Sequence, residues 1–264
     1  MNTTKLPKPN FYFKGFPEDV RFRSHTIPES LEIARGTLYE TWYRCLKLSP
    51  YTAQALTTGI WLSEGQKKTY SQFGDLQGTT FDSWWLERGY ELFMEKDDFK
   101  RINLQQTTNI DDSKDTLLLK IPLTVSPNTL RNQFDDLLRK HHPYYKNFDR
   151  WQHSTASERL RSSKLTSVSL NLYVSVYEQW LKNQDAALYS IGEEMSLIPR
   201  YVVKHGDLGG DVRDKHLQMS LIVSEYLEKA KNLIAHASEG IFPDTSNHDW
   251  IERSTRTRRS RYGD

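Results

Sequence analysis

Arg200, Tyr201 and Lys204 bring two cations and an aromatic ring together within five residues. On one face of a short helix, such side chains suit hydrogen bonding to base edges and ion pairing with phosphates. The segment Asp185–His205 (DAALYSIGEEMSLIPRYVVKH) supplies the outline of that helix. Leu188, Ile191 and Met195 recur at i, i+3 and i+7, on one face of a first helix. Ser196-Leu197 makes a compact break, Pro199 is placed to open a second helix, and Val202 would point back at the first. The spacing predicts a helix-turn-helix-like segment in the C-terminal half. Against it stand Ile198, a poor N-cap, the nearby Asp207, Asp211 and Asp214, and Gly206, which limits the second helix to barely two turns.

Two further sets of cations belong with this reading. Arg253, Arg256, Arg258, Arg259 and Arg261 crowd the tail (IERSTRTRRSRYGD), which is expected to stay disordered until it meets a partner. Their guanidiniums could grip phosphates without reading sequence. A polar bridge through Arg150, Arg159, Arg161 and Lys164 could add phosphate contacts of the same kind.

Other chemistries have weaker footing. His141 and His142 are adjacent, so on a helix they point about 100° apart and do not form a metal-binding pair. HExxH and paired CxxC are absent, and no metal or other cofactor is expected. There is no GxSxG, and Cys45 falls on the apolar face of its helix, which suits a structural thiol. GDLGGDV (206–212) lacks the Lys-Ser/Thr of a phosphate loop and carries carboxylates that would repel phosphate. Asp111, Asp112 and Asp115 ahead of Lys120 faintly echo a metal-dependent nuclease, but Leu118 stands where its second carboxylate should be. A non-enzymatic protein is the expectation.

The elements that would position these groups read as mainly α. Prolines 7, 9, 17 and 28 forbid a long helix in residues 1–28, so Phe11, Tyr12, Phe13, Phe16 and Phe22 are expected to pack as an extended arm on the body. Leu31, Ala34, Leu38, Trp42 and Cys45 predict one helix over 29–47. Ser49-Pro50 opens another that Gly59 ends, residues 60–78 read as irregular, and Thr80 caps an aromatic helix over 81–95. Residues 97–115 read as a linker, and LLLKI (117–121) as the best strand. Ser126-Pro127 starts a helix whose Leu130, Phe134, Leu137 and Leu138 form a core-facing stripe. Helices over 166–182 and 212–238 follow, the first facing inward with Leu170, Tyr173, Tyr177, Trp180 and Leu181, the second with Leu217, Leu221, Leu227, Ala230 and Ile234. The fold expected is multi-helical with a small β element. An aromatic-rich N-terminal helical unit (1–105) precedes a C-terminal helical unit (112–245) and a basic tail (246–264).

Composition narrows the classes. With 36 Lys and Arg against 34 Asp and Glu, the net charge is +2, so any attraction to nucleic acid must be local. One cysteine excludes an intramolecular disulfide, and no apolar run approaches the roughly 20 residues that span a bilayer. The N-terminus lacks the apolar core of a signal peptide, so a cytoplasmic setting is expected.

TWYRCLKLSP (41–50), TFDSWWLERGYELF (80–93), LLLKIPLTVSP (117–127), LYSIGEEMSLIPR (188–200) and VSEYLEKAKNLIAHASEGIFP (223–243) together resemble uncharacterised proteobacterial proteins carried near mobile genetic elements. The resemblance implies a context of plasmid, phage or integrated-element biology, in regulation or phage defence, and brings no catalytic residues. The reading is therefore a DNA-binding accessory or regulatory protein, with DNA or another nucleic acid as partner, Arg200, Tyr201 and Lys204 reading it, and the tail arginines holding phosphate. The rival is a protein-interaction subunit of an assembly, with the Trp/Tyr-rich N-terminal half as its interface. Neither reading involves a membrane.

Overall fold

Serine and threonine side chains set most of the helix starts. A computed structural model of the chain describes residues 11–21, 23–95, 119 and 121–251. Thr37 caps α2 (Leu38–Lys47), Ser49 caps α3 (Pro50–Thr58) and Ser63 caps α4 (Glu64–Phe73). Thr80 caps α5 (Phe81–Trp84), Ser126 caps α7 (Pro127–His141) and Thr166 caps α8 (Ser167–Lys182). Each hydroxyl accepts an amide proton that the helix cannot satisfy itself, a contribution of about 1 kcal/mol apiece.

The helix expected over 29–47 is two. α1 (Ile27–Ala34) ends at Arg35, Gly36 takes a φ of 72°, and Thr37 starts α2. A left-handed glycine followed by a capping threonine outweighs the continuous apolar stripe. Residues 60–78, expected to be irregular, contain α4, whose buried face is Gln66, Thr69 and Phe73. The Gln66 side-chain oxygen accepts the Leu62 amide at 2.8 Å. An inner face that is two-thirds polar carries no hydrophobic periodicity.

The N-terminal arm packs on the body as expected where it is described. Phe13 and Phe16 are fully buried, and Phe11 and His25 exchange two hydrogen bonds of 2.9 Å in an antiparallel bridge. Phe22 lies outside the described residues. So does most of the expected strand: Leu117, Leu118 and Lys120 are outside, and Leu119 and Ile121 are in no strand. The Phe11–His25 bridge is the only β pairing among the described residues. The expected linker 97–115, with Asp111, Asp112 and Asp115, is outside as well.

The aromatic residues of the N-terminal half form a core rather than a surface. Trp42 and Trp85 are completely buried and Trp84, Tyr39, Tyr43 and Phe93 nearly so. A π turn (Trp85–Gly89) separates α5 from α6 (Tyr90–Phe93) and turns the consecutive Trp84 and Trp85 both inward. A Cβ on Gly89 would lie 2.6 Å from the Trp84 ring, so this position excludes larger residues. Every indole N–H of the cluster is matched: Trp42 donates to the Ala237 carbonyl, Trp84 to that of Phe73 and Trp85 to the Ser30 hydroxyl. The rival reading placed its interface on the Trp/Tyr-rich N-terminal half; these rings are buried, while Trp61, Tyr51, Tyr70 and Tyr90 remain partly exposed.

Both expected units contribute to one apolar cluster. α2 packs against α8 and α10 (Gly209–Ser238), and Trp42 stacks on Phe242 with centroids 5.2 Å apart. Arg44 adds a bidentate ion pair to Glu178 on α8, with N–O distances of 2.7 and 3.1 Å. α8 buries Leu170, Tyr173 and Tyr177 as expected, with Trp180 half-buried and Leu181 at the exposed edge. In α10 Leu227, Ala230 and Ile234 face inward, but Leu217 is 56% and Leu221 44% exposed. Met219 and Val223 take the inner phase instead, because they receive Gly192 of α9 (Leu188–Glu194). Among the described residues no helix is long and apolar enough to cross a membrane.

α7 corrects the expectation furthest. Its stripe of Leu130, Phe134, Leu137 and Leu138 is amphipathic as read, yet no residue of the helix is buried and none of the four joins the apolar cluster. Periodicity reveals a face suited to apolar contact and says nothing of where the contact is.

Candidate nucleic-acid interface

The Asp185–His205 segment has the first helix and the break but not the second helix. α9 ends at Met195, and Ser196 turns the chain at a φ of 49°. Pro199–Tyr201 then makes a single 3-10 turn, and Val202 is already extended. Ile198 offers no side-chain cap, and the Glu193 carboxylate holds the Val203 amide at 3.2 Å. The two-turn reading helix expected here is therefore a corner of three residues, too short to lie along a groove.

Arg200, Tyr201 and Lys204 sit close together on that corner without sharing a helical face. The Arg200 guanidinium lies 4.6 Å from the Tyr201 ring centroid, and Tyr201 is half-buried against the core. Lys204 is exposed, while its amide donates to Asp207 at 2.7 Å. Lys215 holds the same Asp207 carboxylate at 2.5 Å and keeps its pKa below the usual carboxylate range. Arg253, Arg256, Arg258, Arg259 and Arg261 lie outside the described residues.

The polar bridge through Arg159 and Arg161 forms a more definite site. Residues 154–161 form a strap, bent at residues 156–158, in which Ser154, Ala156, Glu158 and Leu160 are buried and Ser157, Arg159 and Arg161 are exposed. Backbone bonds fix this alternation: the Glu158 amide donates to Leu92 at 2.9 Å and the Arg161 amide to Phe242 at 2.7 Å. At the start of the strap the buried Glu95 carboxylate accepts the Ser154 hydroxyl at 2.8 Å and the Thr155 amide at 2.7 Å. Lys14 stands 3.9 Å from Glu95 and donates to the His153 carbonyl. Burial pushes the Lys14 ammonium down, with Glu95 opposing the shift and Arg159 adding to it.

Outside the strap lies an open cleft of about 570 Å³. Arg159 and Arg161 line it from the strap and Lys68 from α4, with Trp151, Asp149 and Glu158 also on its walls. Arg159 and Arg161 are both exposed and both line this cleft, so it carries two guanidiniums from one short stretch of chain. The carboxylates are already engaged. Asp149 accepts the Trp151 amide at 3.0 Å, and Glu158 is buried beside Lys68 and Gln72. Burial raises the Glu158 pKa, against the lowering pull of Lys68 and of the Gln72 hydrogen bond.

Sequence reasoning listed Arg159 and Arg161 only as part of a diffuse basic stretch and missed Lys68. The period-2 signal was present, but its inward positions are Ser154, Ala156 and Glu158, which do not read as a buried strand face. Elsewhere Cys45 is fully buried, and burial drives its thiol pKa up, away from nucleophilic use. Among the described residues no group of His, Cys, Asp and Glu could hold a metal ion. No protein-family model, curated protein or solved structure significantly matches this chain.

Proposed function

We propose that this chain is a non-enzymatic nucleic-acid-binding accessory protein whose main contact surface is the cleft lined by Lys68, Arg159 and Arg161. The observation that carries the reading is the pair of exposed arginines, Arg159 and Arg161, on a strap pinned to Leu92 and Phe242, both lining a cleft that also takes Lys68. Guanidinium forks match phosphate oxygens, and a pinned backbone loses less entropy when they engage. Arg200 and Lys204 serve as a secondary, peripheral contact, and the tail arginines add sequence-independent attraction. A near-neutral chain of net charge +2 would bind locally rather than over its whole surface. The resemblance noted above would place such a protein in mobile-element biology.

The test is fluorescence anisotropy of labelled nucleic acid with the full chain across a salt series. Affinity should fall steeply with salt, and Arg159→Ala with Arg161→Ala should flatten the slope by roughly 0.7 to 0.9 per contact removed. Absence of binding at about 50 mM salt, or an unchanged slope in the double variant, overturns the proposal.

A second reading rests on α7. Its apolar stripe lies outside the core, so a protein-interaction subunit would use this helix rather than the N-terminal rings.

A further inference from the structure

Beside the cleft, residues 140–148 (KHHPYYKNF) carry rings that the core does not use. Tyr144 is 47%, Tyr145 37% and Phe148 57% exposed, a concentration that single scattered surface aromatics do not explain. They are held in place. Phe148 stacks on His153 with centroids 5.1 Å apart and planes 5° from parallel, and Tyr144 packs on the same imidazole at 4.8 Å. The Tyr145 amide donates to His142 and the Asn147 amide to Tyr144, both at 3.2 Å, which fixes the turn that presents them. The Tyr145 hydroxyl donates to Asp135 at 2.7 Å. One face of the Phe148 ring is thus backed by protein while more than half of the residue meets solvent.

Cations interleave with these rings. Lys146 is exposed between Tyr145 and Phe148, Lys140 is exposed ahead of Tyr144, and the Arg150 guanidinium lies 4.2 Å from the centroid of Trp151, which itself lines the cleft. Trp151 packs on the core and lines the same cleft as Arg159, Arg161 and Lys68, three residues after Phe148 in the chain. Aromatic faces beside a cationic groove are the arrangement that holds unpaired bases by stacking while the groove follows the phosphates. A duplex keeps its base faces stacked internally and has nothing to offer such rings.

We infer that the ligand of this surface is a single strand of nucleic acid, its bases stacking on Tyr144 and Phe148 and its phosphates running along the cleft. The inference rests on the nucleic-acid reading above and adds the strandedness of the ligand. A protein partner is the competing occupant of exposed rings. The strand is favoured because the rings lie among cations and are followed in the chain by the wall of a polar cleft that carries Arg159, Arg161 and Lys68.

The experiment compares three labelled probes of about 20 nucleotides with the full chain: oligothymidine, an abasic strand and a mixed-sequence duplex. Oligothymidine should bind about tenfold or more tighter than either of the others. Tyr144→Leu with Phe148→Leu keeps apolar volume and removes the rings. It should weaken oligothymidine about tenfold while leaving the duplex affinity, the salt slope and the thermal midpoint unchanged. Arg159→Ala with Arg161→Ala should weaken all three probes. Equal affinity for oligothymidine and the abasic strand overturns the inference and leaves the nucleic-acid reading standing; the comparison needs no variant to fold. Binding of no probe overturns both. Self-association of the wild-type chain that is lost on Tyr144→Leu with Phe148→Leu, with oligothymidine affinity unchanged, overturns the inference and assigns the rings to a second copy.

Discussion

The Glu158 amide donates to the Leu92 carbonyl at 2.9 Å, and this bond pins the strap that lines the cleft. It holds Glu158 buried in the cleft wall beside Lys68 and leaves Arg159 exposed, so a buried acid sits among the cations of the cleft. The acid is destabilising by its burial. Its pKa in the folded chain is raised above the ordinary 4.5, so the folded state binds its proton more tightly than the unfolded state does. Stability then falls as pH rises from the ordinary value through the raised one, and the full penalty applies above both. Glu158→Gln should therefore melt at a higher temperature than wild type at about pH 7, with the difference closing below about pH 4. A variant less stable than wild type at neutral pH would mean that the Lys68 interaction outweighs burial.

Gly192 of α9 faces Met219 of α10 so closely that an added Cβ would lie 2.4 Å from the Met219 Cγ and 3.0 Å from a Val223 methyl. Met219 and Val223 are completely buried and have no room to retreat. Overpacking of this kind costs about 1–3 kcal/mol, against a gain of about 1 kcal/mol from replacing a helical glycine by alanine. Gly192→Ala should be destabilised by roughly 1 kcal/mol in urea unfolding. In a double-mutant cycle with Met219→Ala the two losses should be less than additive, since each relieves the other. Full additivity would show that the helices do not meet here.

How much of this was legible in the sequence depended on whether the deciding contacts were local. Ser49, Pro50 and Gly59 bound α3 because a cap, a fixed φ and a left-handed glycine act within a few residues. The amphipathic face of α7 was equally legible, but its partner was not, since a stripe records only which side avoids water. α4 was hidden because Gln66 and Thr69 are buried polar groups. In α10 the leucine spacing pointed Leu217 and Leu221 inward, and only Gly192 on a neighbouring helix selects Met219 and Val223. The candidate cleft depends on Glu158 bonding to Leu92 across the chain, a pairing no local pattern specifies. The helix-turn-helix outline failed for a local reason: Ile198 does not cap, so the chain turns once at Pro199 and extends.

Because α7 contributes nothing to the core, its stripe should tolerate truncation. Leu137→Ala, at an exposed position, should change unfolding free energy by less than about 0.5 kcal/mol. Leu233→Ala, at a completely buried position, should cost about 2–5 kcal/mol. Comparable losses at both sites in chemical denaturation would place the stripe in the folded core after all.

Arg200 and Lys204 provide the final comparison, because they were the cations that the sequence placed in direct contact with bases. The Arg200 guanidinium already packs over Tyr201 at 4.6 Å, and the Lys204 backbone is committed to Asp207. Asp207 is itself paired with Lys215, which leaves the corner with a mixed local charge rather than a cationic row. A single 3-10 turn cannot insert these side chains into a groove, so their contribution is limited to screened, long-range attraction. Arg200→Ala with Lys204→Ala should thus weaken nucleic-acid binding by no more than about threefold at 0.15 M salt, where the Debye length is about 8 Å. Arg159→Ala with Arg161→Ala should weaken it by at least about tenfold under the same conditions, with a flatter salt slope. Anisotropy titrations of both double variants decide the point. If the larger loss falls on Arg200 and Lys204, the principal contact belongs to the α9 corner and not to the strap.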